Sequence, residues 1–220
     1  MEDFFAKLSI MLVPALLAIT VHEVSHGVVA DHFGDPTARL SGRLSLNPIK
    51  HLDLVGTFTL LVFGFGWAKP VPVTFGNLRN PRRDMIFVAL GGPVANLLLA
   101  LLCALGLHLY SAFAFTSRSL EAVQLMLGFG LYVNLLLALF NLLPIPPLDG
   151  GRVLMGFLPP KKAYALAKIE PFGFLIVILL IYFTGLWKAV IAPMVNFLLF
   201  LLAGEQVVVV EKAMRFLFGH

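Results

Sequence analysis

FFAKLSIMLVPALLAITVHEVSHGVVA, residues 4–30, decides what kind of protein this is. Wound as an α-helix it is about 40 Å long, more than the hydrocarbon core of a bilayer, which is about 30 Å thick. Its only ionisable residues are Lys7 near the start and His22, Glu23 and His26 near the end. Further apolar runs follow at 85–115, 121–143 and 172–203, the last long enough for two short spans broken near Trp187 and Lys188. The 220 residues are 59% hydrophobic and 13% charged, whereas a soluble domain is about half apolar and about a quarter charged. So small a particle cannot bury 20 phenylalanines and these leucine runs inside itself, so its solvent is lipid.

The segment 54–67 is apolar too, but it is short, rich in glycine and followed by Ala68, Lys69, Pro70, Val71, Pro72 and Val73. Two prolines remove donors and fix φ, so the expectation here is a re-entrant, partly extended, β-like segment. Irregular backbone at membrane depth is tolerated where protein or a water-filled cavity covers it, which hints at an internal polar site. The expected architecture is an all-α polytopic membrane protein in one domain, with about five transmembrane helices, this segment, and a tail at 205–220 on the membrane surface.

Charge sets the orientation. Arg39, Arg43, Lys50, Lys69, Arg79, Arg82 and Arg83 lie between the first two long runs, Arg118 alone lies in the next loop, and Arg152, Lys161, Lys162 and Lys168 follow the third. The basic loops read as cytoplasmic, which puts the N-terminus outside. The formal charge of +4 is scattered between apolar runs and not gathered on one face, so nucleic acid is excluded as a partner. Cys103 is the single cysteine, which excludes an intramolecular disulfide and a cysteine-based metal site. Residues 1–7 lack the basic start of a signal peptide, so the first helix is expected to stay.

His22-Glu23-Val24-Ser25-His26 is an H-E-x-x-H sequence at the cytoplasmic end of the first run. At 3.6 residues per turn His22 and His26 stack on one face and reach one ion, with Glu23 beside them. Ionisable groups inside a membrane are expensive, which makes a functional reading the default. A catalytic zinc keeps three protein ligands, so a third is needed. The next glutamate after Glu23 is Glu121, which excludes a ligand glutamate about twenty residues on. Val29 stands where the metzincin pattern needs glycine, so His32 is excluded as well. Asp149 remains, in Asn141-Leu142-Leu143-Pro144-Ile145-Pro146-Pro147-Leu148-Asp149-Gly150-Gly151, where prolines and glycines let a carboxylate turn inward at the same depth. Asp-Gly is also a common turn, and Asp149 has Arg152 as an alternative partner.

In these motifs the sequence resembles the site-2 protease family of intramembrane zinc metalloproteases. The family's H-E-x-x-H is His22 to His26, its N-x-x-P-x-P-x-L-D-G matches Asn141 to Gly150, and its G-P-x-x-N is Gly92-Pro93-Val94-Ala95-Asn96. The chain resembles the short prokaryotic type, with no room for PDZ or CBS domains. The resemblance implies one Zn²⁺ per chain held by His22, His26 and Asp149, with Glu23 as the catalytic base. It implies hydrolysis of peptide bonds within or near the transmembrane segment of a membrane-protein substrate, in a prokaryotic plasma membrane with the site toward the cytoplasmic half. Asn141 and Asn96 are expected as substrate or oxyanion contacts, although asparagines in membrane helices equally serve to bond neighbouring helices. Ala68 to Val73 is expected as an edge on which an unwound substrate docks by strand addition. A metal transporter using the same ligands would need polar relay groups in the outer half, where the sequence has almost none.

Overall fold

The computed structural model describes residues 2–53, 56, 59, 69–113 and 118–219. In lipid each backbone N–H and C=O must be satisfied within its own segment, so uninterrupted apolar runs become helices. Helix α1 spans Glu2–His32, α2 Pro81–Ala112 and α3 Arg118–Asn141. Two short helices follow, α4 at Asp149–Phe157 and α5 at Pro160–Ala167. The C-terminal part consists of α6 at Gly173–Thr184, a π-turn at Trp187–Ile191, α7 at Ala192–Ala203 and α8 at Val207–Phe218. Four stretches are long and apolar enough to cross a membrane: Phe4–His32, Pro81–Ala112, Leu120–Asn141 and Trp187–Phe218. A fifth arises if Pro160–Phe172 and Leu175–Thr184, bent by 83°, form one broken span. This is the multi-pass all-α architecture expected, and no strand is present among the described residues.

The late apolar stretch breaks close to the expected place, near Trp187 and Lys188. Gly185, with φ +65°, ends α6, and the helical run then continues past Ala203 through a bend at Gly204, with φ +53°. Side chains are strained in that backbone region, so glycines fix both breaks, the first two residues before Trp187 and the second beyond the expected stretch. Most of the expected tail at 205–220 is helical, as α8, and Val210 and Ala213 on it are buried. Most of the expected re-entrant segment at 54–67 lies outside the described residues, and its two described residues, Gly56 and Thr59, are helical.

The chain divides into two compact units. One comprises Met1–Ala18, Asn96–Phe140 and Ile178–His220. Its interior is built on Ile10, Leu125, Phe129 and Ala213. A polar chain runs through it: Asn96 Nδ2 donates to Ala18 O at 3.1 Å and to Asn134 Oδ1 at 2.8 Å, and Asn134 Nδ2 donates to Gly130 O at 2.8 Å. The two bonds from Asn96 join helices, are worth about 0.6 kcal/mol each in a membrane and specify which helix faces meet, whereas the third runs back within α3. A Cβ at Gly128 would lie 3.3 Å from Val209 O, a backbone approach that only a small residue permits.

The other unit comprises Ile19–Ala95 and Asn141–Val177. Ala30, Leu78 and Val88 form its apolar cluster, with Val29, Phe33 and Val73 against them. The first turn of α4 is pressed onto the loop before it: a Cβ at Gly150 would lie 2.2 Å from Leu142 O, and one at Gly151 2.4 Å from Pro146 N. At the other end of α4 the Arg82 guanidinium donates to Gly156 O at 3.0 Å and Phe157 O at 3.3 Å, and also to Leu158 O. These carbonyls have no partner within the helix, so Arg82 ties the end of α4 to the start of α2. Asp149, the first residue of α4, is thereby held at a fixed place.

Candidate metal centre

His22 and His26 lie one turn apart on α1, which brings His22 Nε2 and His26 Nε2 to 3.1 Å. Asp149 Oδ2 lies 3.2 Å from the first and 3.4 Å from the second. Among the described residues these three form the group able to hold a metal ion. His26 Nδ1 is 2.7 Å from Val88 O. A carbonyl only accepts, so Nδ1 carries the hydrogen and Nε2 presents a lone pair to the cluster, the tautomer a metal requires. Asp149 Oδ2 is buried and has no hydrogen-bond partner. Leaving a buried charge uncompensated costs about 3–5 kcal/mol, and a cation held between this carboxylate and the two imidazoles compensates it. Tetrahedral zinc at about 2.0–2.1 Å from N and O ligands sets those ligands about 3.3–3.4 Å apart, which the observed triangle matches closely.

Gly92 of α2 explains how the triangle fits. A Cβ there would lie 2.5 Å from His22 Nε2, 2.5 Å from His26 Nε2 and 2.5 Å from His22 Cε1. The sequence suggests helix packing for this glycine, and the structure places it against the two imidazoles. Only a residue without a side chain lets α2 back them so closely.

Glu23 faces the same cavity, of about 350 Å³, which His22, His26 and Asp149 line with Asn141, Arg152 and an apolar wall of Val71, Val73, Met85 and Val88. Glu23 Oε2 accepts the backbone N–H of Val71 at 2.9 Å. Sequence reasoning missed this partner, assigning Val71 only to a docking edge. The available signal was the Pro70-Val71-Pro72 alternation, which leaves Val71 the single N–H in three residues.

The remaining expected residues separate. Asn141 is half-buried and lines the cavity. Asn96 is fully buried and bonded to Ala18 and Asn134 in the other unit, the helix-bonding alternative. Arg152 pairs with Glu170 at 3.3 Å and lies 5.9 Å from the centre of the Phe75 ring, so Asp149 is left to the histidines. On the expected edge, Ala68 lies outside the described residues, Lys69 and Pro70 are exposed, Val71 is buried, and Pro72 and Val73 are half-buried.

Comparison with known proteins agrees with this chemistry. Peptidase family M50 matches residues 10–183. The "Putative zinc metalloprotease YwhC" of Bacillus subtilis is 42% identical over 188 residues, covering 84% of this chain and 85% of that protein. The "Putative zinc metalloprotease Rip2" of Mycolicibacterium smegmatis is 33% identical over 171 residues, covering 76% and 64%. An archaeal relative, "Putative zinc metalloprotease MJ0611" of Methanocaldococcus jannaschii, is 30% identical over 135 residues, covering 60% and 62%. No solved structure matches the chain. The family match runs unbroken through the histidine pair of α1 and on past Asp149, and on that ground the chain belongs to peptidase family M50, the site-2 protease type of zinc metalloprotease.

Proposed function

We propose that this metalloprotease hydrolyses peptide bonds within or next to transmembrane segments of membrane-protein substrates, as a step of regulated intramembrane proteolysis. His22, His26 and Asp149 hold the metal, and Glu23 is the general base. One observation carries the reading: His22 and His26, two corners of the donor triangle, and Glu23 sit on a helix, Phe4–His32, that is itself long and apolar enough to cross a bilayer, and Asp149 of α4 meets them there. A bond cut there must be brought to that helix in lipid. The zinc supplies Lewis acidity, which polarises the scissile carbonyl and acidifies the attacking water. Glu23 takes the proton of that water and returns it to the leaving nitrogen. Asn141 lines the cavity, which supports its role as a donor to the oxyanion.

A substrate helix hides its carbonyls in internal bonds, so it must unwind before attack. The segment 69–73 offers it an edge of reduced scope. Its two prolines have no N–H, the Lys69 N–H goes to His51 O at 2.8 Å and that of Val71 to Glu23, so the Val73 amide and the carbonyls beyond Pro70 remain for docking. The basic loops favour an N-terminus outside and a site toward the cytoplasmic side, and the bacterial and archaeal relatives favour a prokaryotic plasma membrane.

The test is cleavage of labelled single-span peptides by the protein reconstituted in lipid vesicles. Product masses are expected to map cuts within or beside the span, abolished by a chelator and restored by zinc. Cleavage confined to soluble peptides, or indifferent to the chelator, contradicts the proposal.

A further inference from the structure

The bond from Val71 N–H to Glu23 Oε2 is held by several independent features. Lys69 and Val71 each precede a proline, which pushes both into extended backbone and keeps this stretch out of a helix. The segment is fixed on either side. Arg43 Nη2 donates to Lys69 O at 2.8 Å, and the Thr74 N–H donates to Asp35 Oδ2 at 2.6 Å. Asp35 is itself fully buried, and its other oxygen accepts from the Thr37 N–H at 3.1 Å, from Asn77 Nδ2 at 2.9 Å and from the Thr37 hydroxyl. Burial pushes the Asp35 carboxyl up, but these donors outweigh it and hold it below the usual carboxylate range.

The approach to α1 is set by Gly27. It lies four residues after Glu23 on the same helix face, and the buried Val71 side chain rests on it. A Cβ at position 27 would lie 2.9 Å from Val71 Cγ1, 2.6 Å from Leu44 Cδ2 and 3.0 Å from Ala38 Cβ. The Leu44 methyl can turn aside, whereas branched Val71 moves only with its backbone, and with it the N–H that reaches Glu23.

We infer that the Val71 peptide is the positioning group of the general base, and that Gly27 sets the distance at which it acts. A glutamate has three rotatable side-chain bonds, and a fixed donor on Oε2 selects the conformers that aim Oε1 into the cavity. Val71 acts through Glu23 and is not itself a catalytic residue. The inference rests on Glu23 being the base.

The experiment measures kcat, KM and zinc per chain in the vesicle assay. Gly27→Ala is expected to lower kcat about ten-fold or more at unchanged KM and zinc content, because the base is misaimed while the metal stays. Adding Val71→Ala in that background, which removes the methyl that is struck, restores a large part of the loss, a coupling that independent sites do not show. Val71→Pro, which deletes the N–H, turns over more slowly than Val71→Ala, which keeps it. Glu23→Gln is run alongside. If it is inactive while Gly27→Ala keeps the wild-type kcat, or while Val71→Pro equals Val71→Ala, the inference falls and the base assignment stands. If Gly27→Ala loses zinc and Val71→Ala restores nothing, Gly27 is structural only and the inference falls. If Glu23→Gln is active, the base assignment itself fails.

Discussion

Replacement of Glu23 by glutamine is expected to slow peptide hydrolysis by a factor on the order of 10² to 10⁴, with zinc content and protein yield unchanged. The substitution isolates proton transfer. Glutamine has the same shape, and its side-chain carbonyl still accepts the Val71 N–H that glutamate accepts at 2.9 Å, so the local packing is kept. What is lost is the ability to take the proton of the attacking water. Initial rates at saturating substrate, with metal measured on the same samples, check it. A glutamine variant working at the wild-type rate contradicts the assignment of the base.

Gly92→Ala is expected to lower zinc affinity by about 10- to 100-fold and to remove most of the activity with it. The added methyl carbon falls 2.5 Å from both Nε2 atoms, closer than any ordinary carbon–nitrogen contact, so the imidazoles must move apart or tilt. Metal–ligand distances are tolerant to only about 0.2 Å, and such a shift breaks the triangle. Gly91→Ala is the comparison. Its Cβ meets Val29 Cγ2 at 3.1 Å and Ser25 O at 3.2 Å, away from the ligand atoms, so it is expected to keep its zinc. Titration of zinc against a chromophoric chelator distinguishes the two, and equal affinities would remove the special role of Gly92.

The long spans and the clustering of His22, His26 and Asp149 were legible from the sequence for one shared reason: polar groups are costly in lipid. A run such as 4–30 announces a membrane helix by hydropathy, and His22, Glu23 and His26 announce a site by interrupting it. Asp149 was legible because prolines and glycines surround a carboxylate in an apolar setting, and α4 does present it to the two imidazoles. Of the late breaks, only the first was legible. The break expected near Trp187 and Lys188 falls two residues earlier, at Gly185, whereas the one at Gly204 was not expected, because hydropathy carries no signal for positive φ. The partner of Arg152 was equally hidden, since Glu170 reaches it from 18 positions along the chain. Gly92 looked like an ordinary helix-packing residue, and nothing in the sequence singled out Gly27. Their meaning depends on what lies opposite, Val71 in one case and the imidazoles in the other, and pairings so distant in sequence leave no local pattern.

Zinc bound per chain, measured on detergent-purified wild type and on Asp149→Ala, tests the account most directly and needs no substrate. About one zinc in the wild type, and a marked fall in the variant at equal helix content, is the predicted result. Folded wild type that holds no metal after zinc is supplied, or an Asp149→Ala variant that holds it as tightly as wild type, would contradict the three-ligand centre on which the proposed chemistry depends.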